Sequence, residues 1–194
     1  MTKVVIIGGG PGGYEAALVA AQLGADVTVV ERDGIGGACV LTDCVPSKSL
    51  IATSTRTTYV READRLGIHV HAPQDDGAVV DVHLNEVNSR IKRLAGHQSE
   101  DTHTRLIKEG VKVITGEARL VDPHIVAVGD QRMRADVVLL ATGAHPRELP
   151  TARPDGERIL TWRHIYDLEE LPERLIVVGS AAPGVEFAGA YQSL

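Results

Sequence analysis

The chain has 194 residues, 43% of them hydrophobic and 24% charged, with a net charge of −6 and only 3% aromatics. That composition suits a globular protein of one to two small domains whose core is filled by Val, Ile, Leu and Ala. The acidic balance, the lack of any Lys/Arg run and the lack of any apolar stretch near the ~20 residues of a membrane span exclude an obvious nucleic-acid, anionic-membrane or transmembrane role.

The first apolar run, Val4–Ile7, is too short for a signal peptide and meets a glycine turn at once, so a cytoplasmic chain is expected. The run is continuous and β-branched, as in a parallel strand buried on both faces. Gly8–Gly13 follows as a tight turn. Tyr14–Leu23 (YEAALVAAQL) reads as a helix of small residues stopped at Gly24, and Asp26–Val30 as a second strand ending at Glu31. Together these form a βαβ unit.

A loop with the chain's two cysteines, Cys39 and Cys44, leads into a helix from about Pro46. Leu84, Val87, Ile91 and Leu94 mark one apolar helix face. Val111–Ile114 reads as a strand. Ile125–Val128 and Gln131–Ala135 read as antiparallel strands joined at Gly129-Asp130, and Asp136–Ala141 as a buried strand ended by Thr142-Gly143. Residues 144–172, with four prolines and the single Trp162, read as a connector. The opening pattern then recurs: Leu175–Val178 as a strand, GSAAPG as a glycine-bearing turn, VEFAGAYQSL as a helix. The chain stops one strand short of a second βαβ unit and is expected to be the N-terminal part of a longer protein.

Gly8-Gly9-Gly10-Pro11-Gly12-Gly13 matches G-x-G-x-x-G. Its first glycine allows the turn, its second lets a pyrophosphate approach the backbone, and its third lets helix and strand pack closely. The helix N-terminus offers N–H groups and a positive dipole end to phosphates, and Glu31 stands where an acid accepts from a ribose hydroxyl. The motif alone leaves NAD and FAD open. C-x4-C has the wrong spacing for common zinc knuckles, and no second Cys/His pair lies near it. Two thiols on a turn entering a helix can close into a reducible disulfide, and a helix N-terminus favours the thiolate that exchange chemistry uses. The alternative is two unconnected small buried residues. His69-Val-His71 suggests a metal pair but lacks a third ligand, so no metal site is expected. His97 and His103 read as solvated, Met133 and Trp162 as packing residues.

GGACVLTDCVPSK, taken with GGGPGGY, Glu31, Ala141-Thr142-Gly143 and the second turn at Gly179, resembles the flavoprotein disulfide reductases, the group of dihydrolipoamide dehydrogenase and glutathione reductase. The resemblance covers essentially the whole chain. It implies an α/β fold: a Rossmann-like FAD-binding domain over 1–150, with a parallel sheet and a small antiparallel meander. A connector over 151–172 and the start of a truncated NAD(P)-binding Rossmann-like unit over 173–194 would follow. It implies FAD held by Gly8, Gly10, Pro11, Gly12, Gly13, Glu31, Gly36, Gly37, Ala118, Thr142 and Gly143, with NAD(P)H as co-substrate at Gly179 and Gly184. It further implies Cys44 against the flavin, Cys39 as the interchange thiol, and Lys48 near flavin N5, paired with Glu186.

TDCVPSK, YEAALVAAQLGADVTVV and PDGERILTW look most like the NAD(P)H–quinone dehydrogenase branch, which often lacks the first cysteine that this chain keeps. The implied activity is electron transfer from NAD(P)H through FAD to a small acceptor, a quinone or a disulfide. A dihydrolipoamide dehydrogenase-type reaction on Cys39–Cys44 and a non-catalytic flavin-binding fragment are the alternatives. Members are about twice this size. The rest of the nucleotide domain, an Asp-bearing flavin segment and a dimerisation domain with a His–Glu acid/base pair are expected beyond it, with a homodimer as the full-length form. Within the chain, Ala181 stands at the middle glycine of the second turn, Pro183 is tolerable only in a first helical turn, and Ala38 stands where many members have Thr.

Overall fold

The computed structural model describes residues 1–69 and 80–194. Along the chain run β1 (Lys3–Ile7), α1 (Pro11–Gln22), β2 (Asp26–Glu31), α2 (Gly37–Leu41), α3 (Cys44–Arg61), α4 (Leu84–Lys108), β3 (Lys112–Thr115), β4 (Ala118–Asp122), β5 (Ile125–Val128), β6 (Gln131–Arg134), β7 (Val137–Leu140) and α5 (Ala182–Ser193). One-turn 3-10 helices at Ala63–Leu66 and Ile165–Asp167 complete the set. The chain divides into two compact units, each made of two segments: Met1–Cys44 with Leu94–Arg147, and Val45–Arg93 with Glu148–Leu194.

In the first unit, β3-β2-β1-β7 form an all-parallel sheet and β4-β5-β6 an antiparallel one. The continuous apolar run of β1 follows from what covers the two faces. Ile6 points with Val27 and Val29 into a core shared with Ala17, Leu18, Ile35 and Leu106. Val5 and Ile7 point with Val30 into a core closed by Val126 and Ala135 of the meander. Both faces of the central strands are therefore dry, as parallel sheets require. α1 ends at Gly24, whose positive φ of +84° and the Ala25 N–H bond to Ala20 O (3.0 Å) make a Schellman stop.

In the second unit, Leu50 of α3, Leu84 and Ile91 of α4, Ile165, Tyr166, and Phe187, Ala190 and Leu194 around α5 form one core. Asn88 is buried among them and its amide donates to Leu168 O at 2.8 Å. The Asp155 carboxylate accepts from Ile159, Glu157 and Arg158 N–H, each at 2.9 Å, and these bonds hold its pKa below the usual value. Trp162 packs on this core, as Met133 does on the meander core of the first unit.

Three sequence expectations are corrected. Leu175–Val178 forms no strand: Ile176 and Val178 stand 80% and 81% exposed, because among the described residues no neighbouring strand offers a ladder. Asp136–Ala141 is not a buried strand: β7 is a sheet edge paired only with β1, and Val137, Leu139 and Leu140 are exposed. The buried stripe of α4 runs Leu84, Asn88, Ile91, Ala95, leaving Leu94 44% exposed, because the true face turns toward a polar Asn that the apolar pattern skips. The structure also adds β4, a mostly exposed strand in which Arg119 and Asp122 flank the short apolar pair Leu120-Val121.

Two outcomes follow. Gly8→Ala, at φ +106° and with its Cβ driven into the Ala141 carbonyl, is expected to cost more than about 3 kcal/mol in urea unfolding, against about 1 kcal/mol for Gly24→Ala in open space. Burial pushes the Tyr191 hydroxyl up to about 12, above the ordinary tyrosine value of about 10. Its neutral form therefore supports the fold fully below pH ~10, and that support is lost as pH rises from about 10 to 12. A urea midpoint that falls over this window, and falls less in Tyr191→Phe, is the expected result.

Candidate functional site

The C-terminal ends of the parallel strands converge on the glycine turn after β1. Gly8 donates to Val30 O (2.8 Å), Ala141 to Ile7 O (2.8 Å) and Gly116 to Glu31 O (2.9 Å), so the tips of β1, β2, β3 and β7 lie side by side. In open α/β sheets this edge is where ligands bind.

The turn combines two kinds of glycine. A Cβ on Gly8 would strike the Ala141 carbonyl, and one on Gly13 would strike the Gly8 carbonyl. These positions bring helix, strand and β7 to backbone contact. Gly10 and Gly12 differ, since a Cβ on either would meet no atom within 4 Å. Gly10 is the extended N-cap of α1 (φ −69°, ψ −178°), Pro11 opens the helix, and the first turn carries no acidic side chain. Gly13 and Tyr14 donate to Gly10 O at 2.9 Å each. The result is an open cradle over a helix N-terminus, the arrangement that accepts a phosphate group.

Glu31 does more than its sequence position suggests. Its Oε2 accepts from Gly9 N–H at 2.6 Å and its Oε1 from Asp33 N–H at 2.8 Å. The carboxylate is thus a brace for the turn, and each oxygen keeps a second lone pair for another donor. Gly36 donates to Gly9 O at 2.8 Å and has φ +98°, while a Cβ on Gly37 would lie 3.0 Å from Gly10 Cα. The two glycine pairs, distant in sequence, meet at the same place. Ser99 Oγ of α4 donates to Ile35 O at 2.6 Å and holds this second loop. Nothing in the sequence flags Ser99, which sits in a polar helical stretch with no motif around it.

Cys39 is half-buried in α2, and Cys44 is the exposed first residue of α3; Thr42-Asp43 separates the two helices. Burial raises the Tyr14 hydroxyl pKa, with Glu15 and Cys39 adding to the rise and Arg105 opposing it. Thr142 and Gly143 follow β7, with Gly143 at φ +72°, and Ala118 opens β4 opposite Val128. The first unit therefore holds Gly8, Gly10, Pro11, Gly12, Gly13, Glu31, Gly36, Gly37, Cys39, Cys44, Ala118, Thr142 and Gly143.

The second unit holds Lys48, Gly179, Gly184 and Glu186. Lys48 Nζ lies 2.8 Å from Glu186 Oε1 and 2.9 Å from Oε2, joining α3 to α5. Lys48 is 60% exposed and Glu186 26%, so the pair adds at most about 1 kcal/mol to stability. Lys48 follows Cys44 by one turn of α3. The second turn copies the first: Gly179 has φ +122°, and a Cβ on Gly184 would strike the Gly179 carbonyl. Ala181 is the extended N-cap (φ −73°, ψ 171°), and Pro183 falls in the first helical turn, where it is tolerated. Ala181 therefore strains nothing; its Cβ matters only to an approaching ligand.

His71 lies outside the described residues, and His69 Nδ1 is 3.2 Å from Asp64 Oδ1. His97 and His103 are exposed on α4. No helix among the described residues is long and apolar enough to cross a membrane.

The parallel sheet, its glycine turn and the acid at the end of β2 define a Rossmann-like nucleotide-binding fold. The chain matches the pyridine nucleotide-disulphide oxidoreductase family over residues 2–194, and it belongs to that family. It is 49% identical over 208 aligned residues to NAD(P)H dehydrogenase (quinone) of Mycobacterium tuberculosis, covering 100% of this chain and 41% of that protein. It is 37% identical to dihydrolipoyl dehydrogenase 2 of Haloarcula marismortui, again covering 100% of this chain and 41% of the relative. The crystal structure of LpdA from Mycobacterium tuberculosis superposes with a TM-score of 0.88 at 47% identity, covering 100% of this chain and 43% of that one. The flavoprotein disulfide reductase RclA of Escherichia coli shares the fold, with a TM-score of 0.79 at 22% identity over 98% of this chain and 40% of that one. The chain thus spans about two fifths of the length of these relatives.

Glu31→Gln keeps the shape but turns a donor toward an N–H that needs an acceptor. It is expected to cost about 1–3 kcal/mol in urea unfolding; a variant as stable as the parent would remove the bracing role.

Proposed function

We propose that the chain is the N-terminal part of an FAD-dependent oxidoreductase that passes electrons from NAD(P)H through flavin to a quinone or disulfide acceptor. The observation that carries this is the open cradle at Gly10 and Gly12, framed by backbone contacts at Gly8 and Gly13 and braced by Glu31. Residues 1–150 are proposed as the FAD-binding domain, 151–172 as a connector and 173–194 as the start of an NAD(P)-binding domain.

The residues present fit FAD. Gly8, Gly10, Pro11, Gly12 and Gly13 would receive the pyrophosphate, since a diphosphate needs room over Gly10 and N–H groups at a helix start. Glu31, held by two backbone donors, would accept from the adenosine ribose with its remaining lone pairs. Gly36, Gly37, Ala118, Thr142 and Gly143 would line the cofactor. Bound FAD supplies hydride and electron transfer. Lys48 would hold a positive charge near flavin N5, with Glu186 orienting its ammonium. Cys44 would lie against the flavin and Cys39 would meet a disulfide acceptor. NAD(P)H would bind at Gly179 and Gly184, where the Ala181 Cβ narrows the approach.

The quinone acceptor is favoured by likeness to the mycobacterial quinone dehydrogenase. The presence of both Cys39 and Cys44 supports a second reading, a dihydrolipoamide dehydrogenase-type reaction. The third reading is a non-catalytic flavin-binding fragment, because the chain covers about two fifths of its relatives. A homodimer is proposed for the full-length protein and a cytoplasmic location for both.

The visible spectrum of the purified chain, before and after one equivalent of dithionite, tests the proposal. A flavin spectrum that gains a long-wavelength band on reduction, lost in Cys44→Ser, is the expected result for a working thiol–flavin contact. Flavin without that band favours the quinone acceptor acting without the thiols. Folded protein with no flavin after reconstitution removes the FAD reading from this chain.

A further inference from the structure

The peptide group that joins Ile35 to Gly36 is bonded on both sides. Its carbonyl accepts from Ser99 Oγ of α4 at 2.6 Å, and its N–H donates to Gly9 O at 2.8 Å. That acceptor belongs to the next peptide in line, the one joining Gly9 to Gly10. Every peptide here is trans, and in a trans peptide the C=O and N–H point opposite ways. The bond that holds Gly9 O therefore aims the Gly10 N–H away from Gly36. A line of bonds runs from the Ser99 hydroxyl, through two peptide groups, to the Gly10 N–H. That N–H lies at the cradle. Pro11 has no N–H, and Gly13 and Tyr14 both donate to Gly10 O, which leaves Gly10 and Gly12 as the donors of the turn. Among the described residues no acceptor is bonded to the Gly10 N–H. A Cβ on Gly37 would lie 3.3 Å from Gly10 N, so the bare Gly37 keeps the approach clear.

The local backbone does not fix this line. Gly36 sits at φ +98°, and a glycine takes either sign of φ at little cost, so the Ile35–Gly36 peptide is free to turn over unless both its sides are held. The Ile35 side chain is anchored, 5% exposed in a core with Leu106 of the same α4. The peptide after it has only its two hydrogen bonds. A hydroxyl inside a helix ordinarily bonds back to the carbonyl one turn earlier, as Thr102 does to Gln98 O at 2.8 Å. Ser99 donates across to Ile35 instead. Bonds in line polarise one another, so a donor at one end strengthens the donor at the other.

We propose that Ser99 is a positioning residue of the first glycine turn: its hydroxyl orients two peptide groups in series and so aims the Gly10 N–H at a pyrophosphate. The ligand in this statement rests on the proposed binding of FAD at that turn. Ser99 acts through the two peptides, from a helix outside the βαβ unit that carries the motif.

The test is solution NMR of the isotope-labelled chain, with two readouts. The first is hydrogen exchange at the Gly36 N–H, which needs no ligand. Ser99→Ala is expected to speed it about three- to tenfold relative to the amides of β1. Ser99→Thr, which keeps a hydroxyl, is expected to restore the parental rate, and Thr102→Ala to leave it unchanged. The second readout is titration with ADP and with adenosine, which lacks the phosphates. Ser99→Ala is expected to weaken ADP about three- to tenfold and to leave adenosine at the parental affinity, a split that general loosening would not give. Parental Gly36 exchange in Ser99→Ala overturns the proposal, as does parental ADP affinity or an equal loss of ADP and adenosine. Should Ser99→Ala fail to fold, Ser99→Thr against Ser99→Val, a hydroxyl exchanged for a methyl, gives the same comparison, and equal Gly36 exchange in the two overturns the proposal. A parent chain that binds no ADP removes the nucleotide reading, and the exchange result still decides whether Ser99 orients the turn.

Discussion

Two carbonyl groups and two missing side chains set the geometry of the first unit. Gly8 presses its Cα against the Ala141 carbonyl, and Gly13 presses against the carbonyl of Gly8. Only hydrogen at those positions lets β7, the β1 tip and the start of α1 come into backbone contact. From this contact the rest follows. The helix axis is aimed at the strand ends, the N-cap at Gly10 is left open, and the Gly36 loop can dock on Gly9. Glu31 then locks the turn from the neighbouring strand.

The second unit repeats the construction with a different outcome. Gly179 and Gly184 reproduce the backbone contact of Gly8 and Gly13, and both N-caps are extended with a proline in the first helical turn. The first turn follows a strand in a four-stranded sheet; the second follows a segment with no ladder. Turn and helix form all the same, since their geometry is set by hydrogen-for-side-chain replacement and local bonding. A strand needs a partner contributed from elsewhere.

Two charged groups are each held in one direction. Glu31 is pinned by two backbone donors, and Lys48 by both oxygens of one carboxylate. The exposed Lys48–Glu186 ion pair contributes about 0–1 kcal/mol. The consequence of these contacts is that a carboxylate and an ammonium each point one way.

Much of this was legible in residues 1–31, because a βαβ turn writes its whole mechanism into neighbouring residues: the apolar run of β1, the glycines, the small-residue helix and the acid at the end of β2. The Lys48–Glu186 pair was legible only through a family resemblance, as 138 residues separate the partners. The bracing bonds of Glu31, the Ser99 hold on the Ile35 carbonyl and strand β4 were not legible, and the exposure of β7 and of Leu175–Val178 ran against expectation. The sequence by itself determined where the chain turns and which helices and buried strands can exist, since steric limits and side-chain period act within a few residues. Which strand lies at an edge, which apolar run finds a ladder, and which polar side chain meets a distant carbonyl were decided only by the tertiary structure. Those outcomes depend on which distant segment arrives alongside, and nothing local to a residue encodes that.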